Sequence, residues 1–276
     1  MKYPLVSIIT PSLNCGAFIE ETLRSVEQQD YPNIEHIVLD SGSTDETMAV
    51  LARHPSVRVV SPAPHELTEK LSHGFAMARG EIVAWIGADD LYLPGAIRKA
   101  VEALQRNPQV ALVYCNIVQV DAKSAEIGRE RTRQANWEDM LTHNYIPVET
   151  AFIRREVLDR VGLFDKRYPM VLDWDFHLRI SKNFPILYVD DFWSAFRVRE
   201  GQRSSVYQYD YWIQARTMAR EHGANLLPLY WNYWGTKVKR ISRMVRNGEF
   251  RTLTTKLGKH IRSVARHQAT RNRTDY

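Results

Sequence analysis

Over its first 115 residues the chain alternates short, dense apolar runs with stretches of helical period. Leu5–Thr10 (LVSIIT) is a compact β-rich run closed by Pro11. Phe18/Ile19, Thr22/Leu23 and Val26 then recur at helical spacing as far as the turn Asp30–Asn33 (DYPN). Residues 34–39 (IEHIVL) predict a second strand, and Ser43 with Glu46 predicts a capping box opening a helix that reaches about Arg53. Residues 57–60 (VRVV) predict a third strand, 66–78 a helix and 81–86 (EIVAWI) a fourth strand. Pro94 suits a first helical turn, Ile97, Val101 and Leu104 continue that helix, and 110–115 (VALVYC) is a further strand.

Strand–helix alternation with such short connections predicts an α/β fold, a mostly parallel sheet with helices on both faces. Ligands bind at the carboxyl ends of the strands in sheets of this kind. After about residue 120 the alternation fails. Residues 116–131 predict a hairpin-like excursion with Gly128 near its turn, followed by loop and short helix, a strand at 150–154, a helix at 155–162 and another starting near Asp173. With no internal repeat or low-complexity linker, the expected division is 1–125 as a ligand-binding half, 126–205 as the second half of the same domain, and 206–276 as a helical extension.

Three strand ends carry the polar groups that this topology gathers: Pro11-Ser12-Leu13-Asn14, Asp40-Ser41-Gly42-Ser43, and Asp89-Asp90. Two adjacent carboxylates at a strand end repel each other and suit a hard divalent cation bridging to a diphosphate, with the neighbouring acid free for ribose hydroxyls. The plainer alternative is an aspartate capping the next helix. Asp40 can accept from a base edge or a ribose, with Gly42 letting the backbone turn closely beneath a ligand. Ser, Gly, Thr and Asp are equally what any strand-to-helix turn uses.

Taken in order, VSIITPSLN, HIVLDSGSTDET and ARGEIVAWIGADDLYLPGAI resemble the family 2 glycosyltransferases of the GT-A fold, closely over residues 4–125 and more loosely to about 205. The resemblance implies that Pro11, Ser12, Asp40 and Asp89, with Asn14 and Gly42 in the same loops, hold a nucleotide-sugar, and that Asp90 binds Mn²⁺ or Mg²⁺. VGLFDKRYPMVLDWDFHLRI looks like a fourth family stretch, which puts Asp173 on the catalytic base and Asp175 on the second acid of that motif. A carboxylate opposite the leaving diphosphate takes the acceptor's proton, which inverts the anomeric centre. The implied partners are a nucleoside-diphosphate-sugar donor and a glycan or lipid-linked acceptor hydroxyl.

The chain departs from the family pattern at three places. Ser41 stands where many members carry a second aspartate, and Glu69 and Ser72 stand where an acid and an asparagine are common. Arg199, with Arg197 nearby, replaces a histidine on the metal side. Arginine cannot coordinate a cation but pairs with phosphate oxygens, so Arg197 and Arg199 are expected on the diphosphate, supplementing the metal.

Charge then separates the tail from the rest. Residues 237–276 hold 12 Lys and Arg against Glu249 and Asp275, whereas residues 1–236 hold 25 basic and 30 acidic side chains. Val238, Ile241, Val245, Leu253, Leu257, Ile261 and Val264 fall on helical faces among these bases. Such a segment, 237–266, suits an anionic membrane surface, or alternatively packing on the catalytic domain with a solvated basic face. Nucleic acid is disfavoured because no recognition module accompanies the charge. The N-terminus lacks a signal-peptide core and no apolar run reaches the roughly 18 residues of a span, so a cytoplasmic protein, peripheral at most, is expected. Cys15 and Cys115 fit small packing residues, and His143, His177 and His222 structural or surface positions. A non-catalytic nucleotide- or glycan-binding subunit and a sugar nucleotidyltransferase are the competing functions. The second lacks its Gly-rich basic loop after strand one, and a dehydrogenase lacks G-x-G-x-x-G.

Overall fold

The computed structural model describes residues 3–199, 202 and 208–227. The chain divides into two compact units, Met1–Glu200 and Gly201–Tyr276. In the second, the described part contains the helix Gln208–Glu221. The basic segment 237–266 lies outside the described residues.

The first unit is a nine-stranded sheet in the order β3-β2-β1-β4-β8-β6-β9-β5, with β7 paired to β6. Its strands are β1 (Val6–Ser12), β2 (Ile34–Asp40), β3 (Arg58–Val60), β4 (Ile82–Trp85), β5 (Leu91–Tyr92), β6 (Leu112–Val120), β7 (Glu126–Glu130), β8 (Phe152–Arg154) and β9 (Ile186–Arg197). The first four are mutually parallel. β8 runs antiparallel between β4 and β6, and β6 and β9 are again parallel. The expected fold class, an α/β protein of GT-A type with helices on both sheet faces, is the one observed.

Alternation along β1 explains why both faces are covered. Val6 and Ile8 point into a core shared with α1 (Ile19–Glu27) and α4 (Ala96–Arg106). Ile9 points the other way, against Gly74 of α3 (Leu67–Met77), where an added Cβ would lie 2.7 Å from Ile9 and 2.6 Å from Leu39. Helix α1 buries Ile19, Thr22, Leu23 and Val26, the spacing expected of one helical face. Phe75 of α3 packs edge-on against Phe164 and Phe176, whose own rings are tilted to each other.

Several local expectations give way. The hairpin between β6 and β7 turns at 121–125, not at Gly128: Asp121 Oδ1 accepts from the Lys123 and Ala125 amides, and Ser124 takes the positive φ of 65°. No capping box forms at Ser43, whose hydroxyl is turned to Asp40; helix α2 is only Thr47–Leu51, and Asp45 accepts from the Thr47 amide instead. A capping box does open α5 (Trp137–Met140), between Asn136 and Asp139. Residues 155–162 form a 3₁₀ turn, Arg155–Val157, followed by the short α6, Leu158–Val161. The last helix of this unit, α7, runs Leu172–Asn183.

Candidate active site

The parallel register sets the site's first wall. Ser12 pairs with Asp40 at the carboxyl ends of β1 and β2. The two loops that leave these strands are tied together. Asn14 Oδ1 accepts from the Thr44 amide at 2.9 Å, and the Asn14 amide donates to Ser43 Oγ at 2.8 Å. Asn14 is held at φ 52°, a conformation asparagine tolerates better than most residues. Asp40 is fully buried, and its carboxylate accepts from the Gly42 amide (2.9 Å), the Ser43 amide (2.8 Å) and Ser43 Oγ (2.5 Å). Gly42 sits at φ 83°, so the turn around Asp40 needs a glycine. Asp40 thus fixes its own loop and keeps lone pairs beyond those bonds. Pro11 lies beside it on β1, and the Ser12 hydroxyl is buried with no hydrogen-bond partner among the described residues.

The second wall is the turn after β4. Asp90 is 4% exposed, and its Oδ1 accepts from the Arg197 amide at 2.9 Å. Its other oxygen has no donor among the described residues and lies where a Cβ on residue 87 would be, 2.5 Å away, which explains Gly87. Burial, then the fields of Glu149 and Asp89, push the Asp90 carboxyl well above the usual range. Asp89 is bound by Arg199, whose Nε donates to Oδ2 at 2.7 Å.

The two arginines therefore differ. Arg199 is part-exposed at the site, its guanidinium over the Phe18 ring. Arg197 is fully buried and donates to Asp89 O (2.7 Å), Asp121 O (3.1 Å), Ser124 Oγ (2.9 Å) and Glu21 Oε2 (2.8 Å). Its guanidinium ties the Asp89-Asp90 turn to the hairpin turn 121–125 and to α1. Glu69, on α3, pairs with Lys166 at 2.6 Å and is 44% exposed.

Asp173 occupies the first turn of α7, where the helix's free amides favour an anion. Asn144 Nδ2 donates to its Oδ2 at 3.0 Å, and burial nonetheless pushes its carboxyl up. Asp175, the second acid of that stretch, is buried with Arg179 at 2.9 Å, and Arg179 in turn donates to Val161 O and to Leu163 O, so this pair braces α7 on the segment before it.

Glu149, which the sequence did not single out, connects the two halves. It sits on a 3₁₀ turn, Val148–Thr150, and its carboxyl interacts electrostatically with Asp173 and Asp89, as Asp90 does with it. Burial first, then those negative neighbours, push it up to about 7. An acid of this kind holds a proton in the fold that an unfolded carboxyl releases near pH 4.3, so its contribution to stability falls as pH rises from there through 7. Glu149→Gln, in chelator, is expected to raise the melting midpoint at pH 8 by about 2–6 °C, of order 1–2 kcal/mol after solvent screening, and to leave it unchanged near pH 4.5. Melts at the two pH values check this; equal shifts at both would remove the charge as the cause. Lys70 is a second residue without a sequence signal. It is 4% exposed, and its Nζ reaches Ser12 O at 3.0 Å.

No three His, Cys, Asp or Glu side chains among the described residues group into a cage for a metal ion. What exists is one buried carboxylate with a free oxygen, an arrangement suited to a hard cation that completes its shell with phosphate oxygens and water. Cys15 and Cys115 are free thiols, with Cys115 buried.

The family model of "Glycosyl transferase family 2" matches residues 7–162, more than half of the sequence. The chain belongs to that family. It is 28% identical over 262 residues to an uncharacterized glycosyltransferase of Haemophilus influenzae, covering 87% of this chain and 78% of the relative. Two solved folds are similar. TarS 1–349 of S. aureus, in complex with UDP-GlcNAc, superposes with a TM-score of 0.63 at 20% identity, over 79% of this chain and 66% of that one. The mannosyltransferase PcManGT from Pyrobaculum calidifontis, in complex with GDP-Man and Mn²⁺, gives 0.64 at 23%, over 80% and 65%. This family 2 member is a glycosyltransferase by family, and at these identities the two structures establish the GT-A-like fold. No helix among its described residues is long and apolar enough to cross a membrane.

Proposed function

We propose that the enzyme transfers a sugar with inversion from a nucleoside-diphosphate-sugar to an acceptor hydroxyl. The observation that carries this is the electrostatic chain Asp89–Asp90–Glu149–Asp173, which links the turn after β4 to the start of α7 across more than 80 residues of sequence. Two neighbours of the same fold are complexed with nucleotide-sugars, UDP-GlcNAc and GDP-Man, which supports this donor class. In this proposal the loops of Pro11, Ser12, Asn14, Asp40 and Gly42 receive the nucleoside, with Glu69 at the margin. Arg199 and Asp89 flank the diphosphate, and Arg197 holds the turn that presents them.

The acceptor oxygen attacks the anomeric carbon as the bond from that carbon to the diphosphate oxygen breaks, the electron pair leaving with the diphosphate. The acceptor's proton passes to the Asp173 carboxylate. Its raised pKa makes it a stronger base than an exposed aspartate, and it must be ionised to act, so turnover rises with pH through that pKa and then levels. Asp90 would hold a divalent cation, which would supply neutralising charge for the departing diphosphate. The acceptor we propose is a growing surface glycan or lipid-linked sugar, which suits the basic segment 237–266 at an anionic membrane surface.

A metal titration tests the donor side. Activity in chelator is expected to fall about 10²-fold and to return with Mn²⁺ or Mg²⁺, while Asp90→Asn loses that response. Full activity in chelator would leave charge neutralisation to Arg199 alone.

A further inference from the structure

The backbone of Glu149 is fixed from both sides. Ser194 Oγ donates to Glu149 O at 2.6 Å and Trp193 Nε1 donates to Thr150 O at 2.9 Å, both from β9. The Thr150 hydroxyl accepts from the Cys115 amide of β6 at 3.2 Å. The 3₁₀ turn is thus pinned to the sheet beneath the site, and the position of residue 149 is set by strand packing. Its carboxyl, by contrast, is met by its own backbone amide and by no side chain among the described residues, and it is part-exposed.

An unsatisfied group lies in its field. The Tyr92 phenol is 4% exposed, has no hydrogen-bond partner among the described residues, and feels the charge of Glu149. A buried polar group left unpaired costs about 1–3 kcal/mol, and native proteins keep such groups mainly where something else completes them. Among the charges that act on its carboxyl are Asp89 and Asp90 from the turn after β4, Asp173 from α7 and Glu130 from β7, all acids, of which Asp89 is paired with Arg199. An extra carboxyl among them is costly unless it meets donors brought by a ligand.

The path of the donor supplies those donors. A nucleotide-sugar anchored by its nucleoside at the Asp40 loop and by its diphosphate at Asp89-Asp90 carries its sugar on towards Asp173, past the group that interacts with both ends. We propose that Glu149 is a specificity-determining residue that hydrogen-bonds a hydroxyl of the transferred sugar, an assignment that rests on the donor and base roles given above. The substrate class is a sugar bearing a free hydroxyl on the face turned to the 3₁₀ turn. A sugar deoxygenated there loses the contact.

Calorimetric titration of the full chain separates this role from others. The probes are the matched pairs UDP and UDP-GlcNAc, UDP and UDP-glucose, and GDP and GDP-mannose, each with Mg²⁺. Wild type is expected to bind one nucleotide-sugar more tightly than its diphosphate. Glu149→Ala lowers the affinity of that nucleotide-sugar about 10–100-fold, the range for a hydrogen bond to a charged group, and leaves the diphosphate unchanged. Glu149→Gln, which keeps shape and packing, loses less than the alanine variant. Analogues of the preferred donor lacking single hydroxyls complete a double-mutant cycle: one of them binds wild type and Glu149→Ala equally. Equal losses for diphosphate and nucleotide-sugar, or no loss in either variant, overturn the proposal while leaving the donor site standing. Failure of wild type to bind any of these nucleotides overturns the donor assignment and this one with it.

Discussion

Asp173→Asn is expected to leave nucleotide-sugar affinity unchanged and to lower turnover by about 10²–10⁴-fold, the usual contribution of a general base. The substitution is nearly isosteric. Asn144 can still bond its oxygen, and the α7 amides can still bond its carbonyl. What disappears is the basic lone pair, and with it the acid limb of the pH profile, because the variant has no carboxyl to ionise. Steady-state kinetics across pH 5–9 beside donor titration make the check. A variant that keeps near-normal turnover, or one that loses donor affinity in proportion, would remove Asp173 from the role of base.

The second large effect is expected from Arg197→Ala, and it falls on stability before chemistry. The guanidinium is wholly buried and holds two backbone carbonyls, Asp89 O and Asp121 O, together with Ser124 and Glu21. Truncation takes a donor from each of these acceptors and opens a cavity under the site, a loss of about 3–5 kcal/mol. For a domain of this size that corresponds to roughly 6–20 °C in melting midpoint. Lysine cannot span four partners with one ammonium, so Arg197→Lys recovers only part of the loss. Arg199→Ala is the control. Arg199 is part-exposed and meets the site through Asp89, so its loss lowers donor affinity with little change in melting. If both arginine variants melt like wild type, the frame role of Arg197 is wrong.

The parallel half of the sheet was readable because each of its strands is a short apolar run closed by turn residues, as at Leu5–Thr10 before Pro11 and at 34–39 before Asp40. β9 was not, because Asp190 and Asp191 interrupt its pattern. They sit where the pairing with β6 shifts register, and they are paired outward with Arg131 and Lys99. β5 is two residues long and exists only by pairing with β9, so it carries no local signal. The Ser43–Glu46 pattern misled for a related reason: a hydroxyl beside a buried carboxylate bonds it in preference to a helix end.

The site shows the same division. Asp40, Asp89, Asp90 and Asp173 stand in stretches whose wording resembles a family, whereas Glu149 lies 24 residues before Asp173 on a 3₁₀ turn. Its place is set by hydrogen bonds from β6 and β9, contacts no local pattern encodes. The separate duties of Arg197 and Arg199 were equally hidden. Two residues apart, one ending β9 and the other just beyond it, the first is turned into the frame and the second reaches Asp89.

In the proposed mechanism one base faces one activated donor, which allows a single displacement and no covalent sugar–enzyme intermediate. The stereochemistry of the product is therefore the most direct test. With an α-linked nucleotide-sugar as donor, proton NMR of the product formed in the first turnovers should show a β linkage. An α linkage, with retention at the anomeric carbon, would contradict the assignment of Asp173 and the single-displacement account built on it.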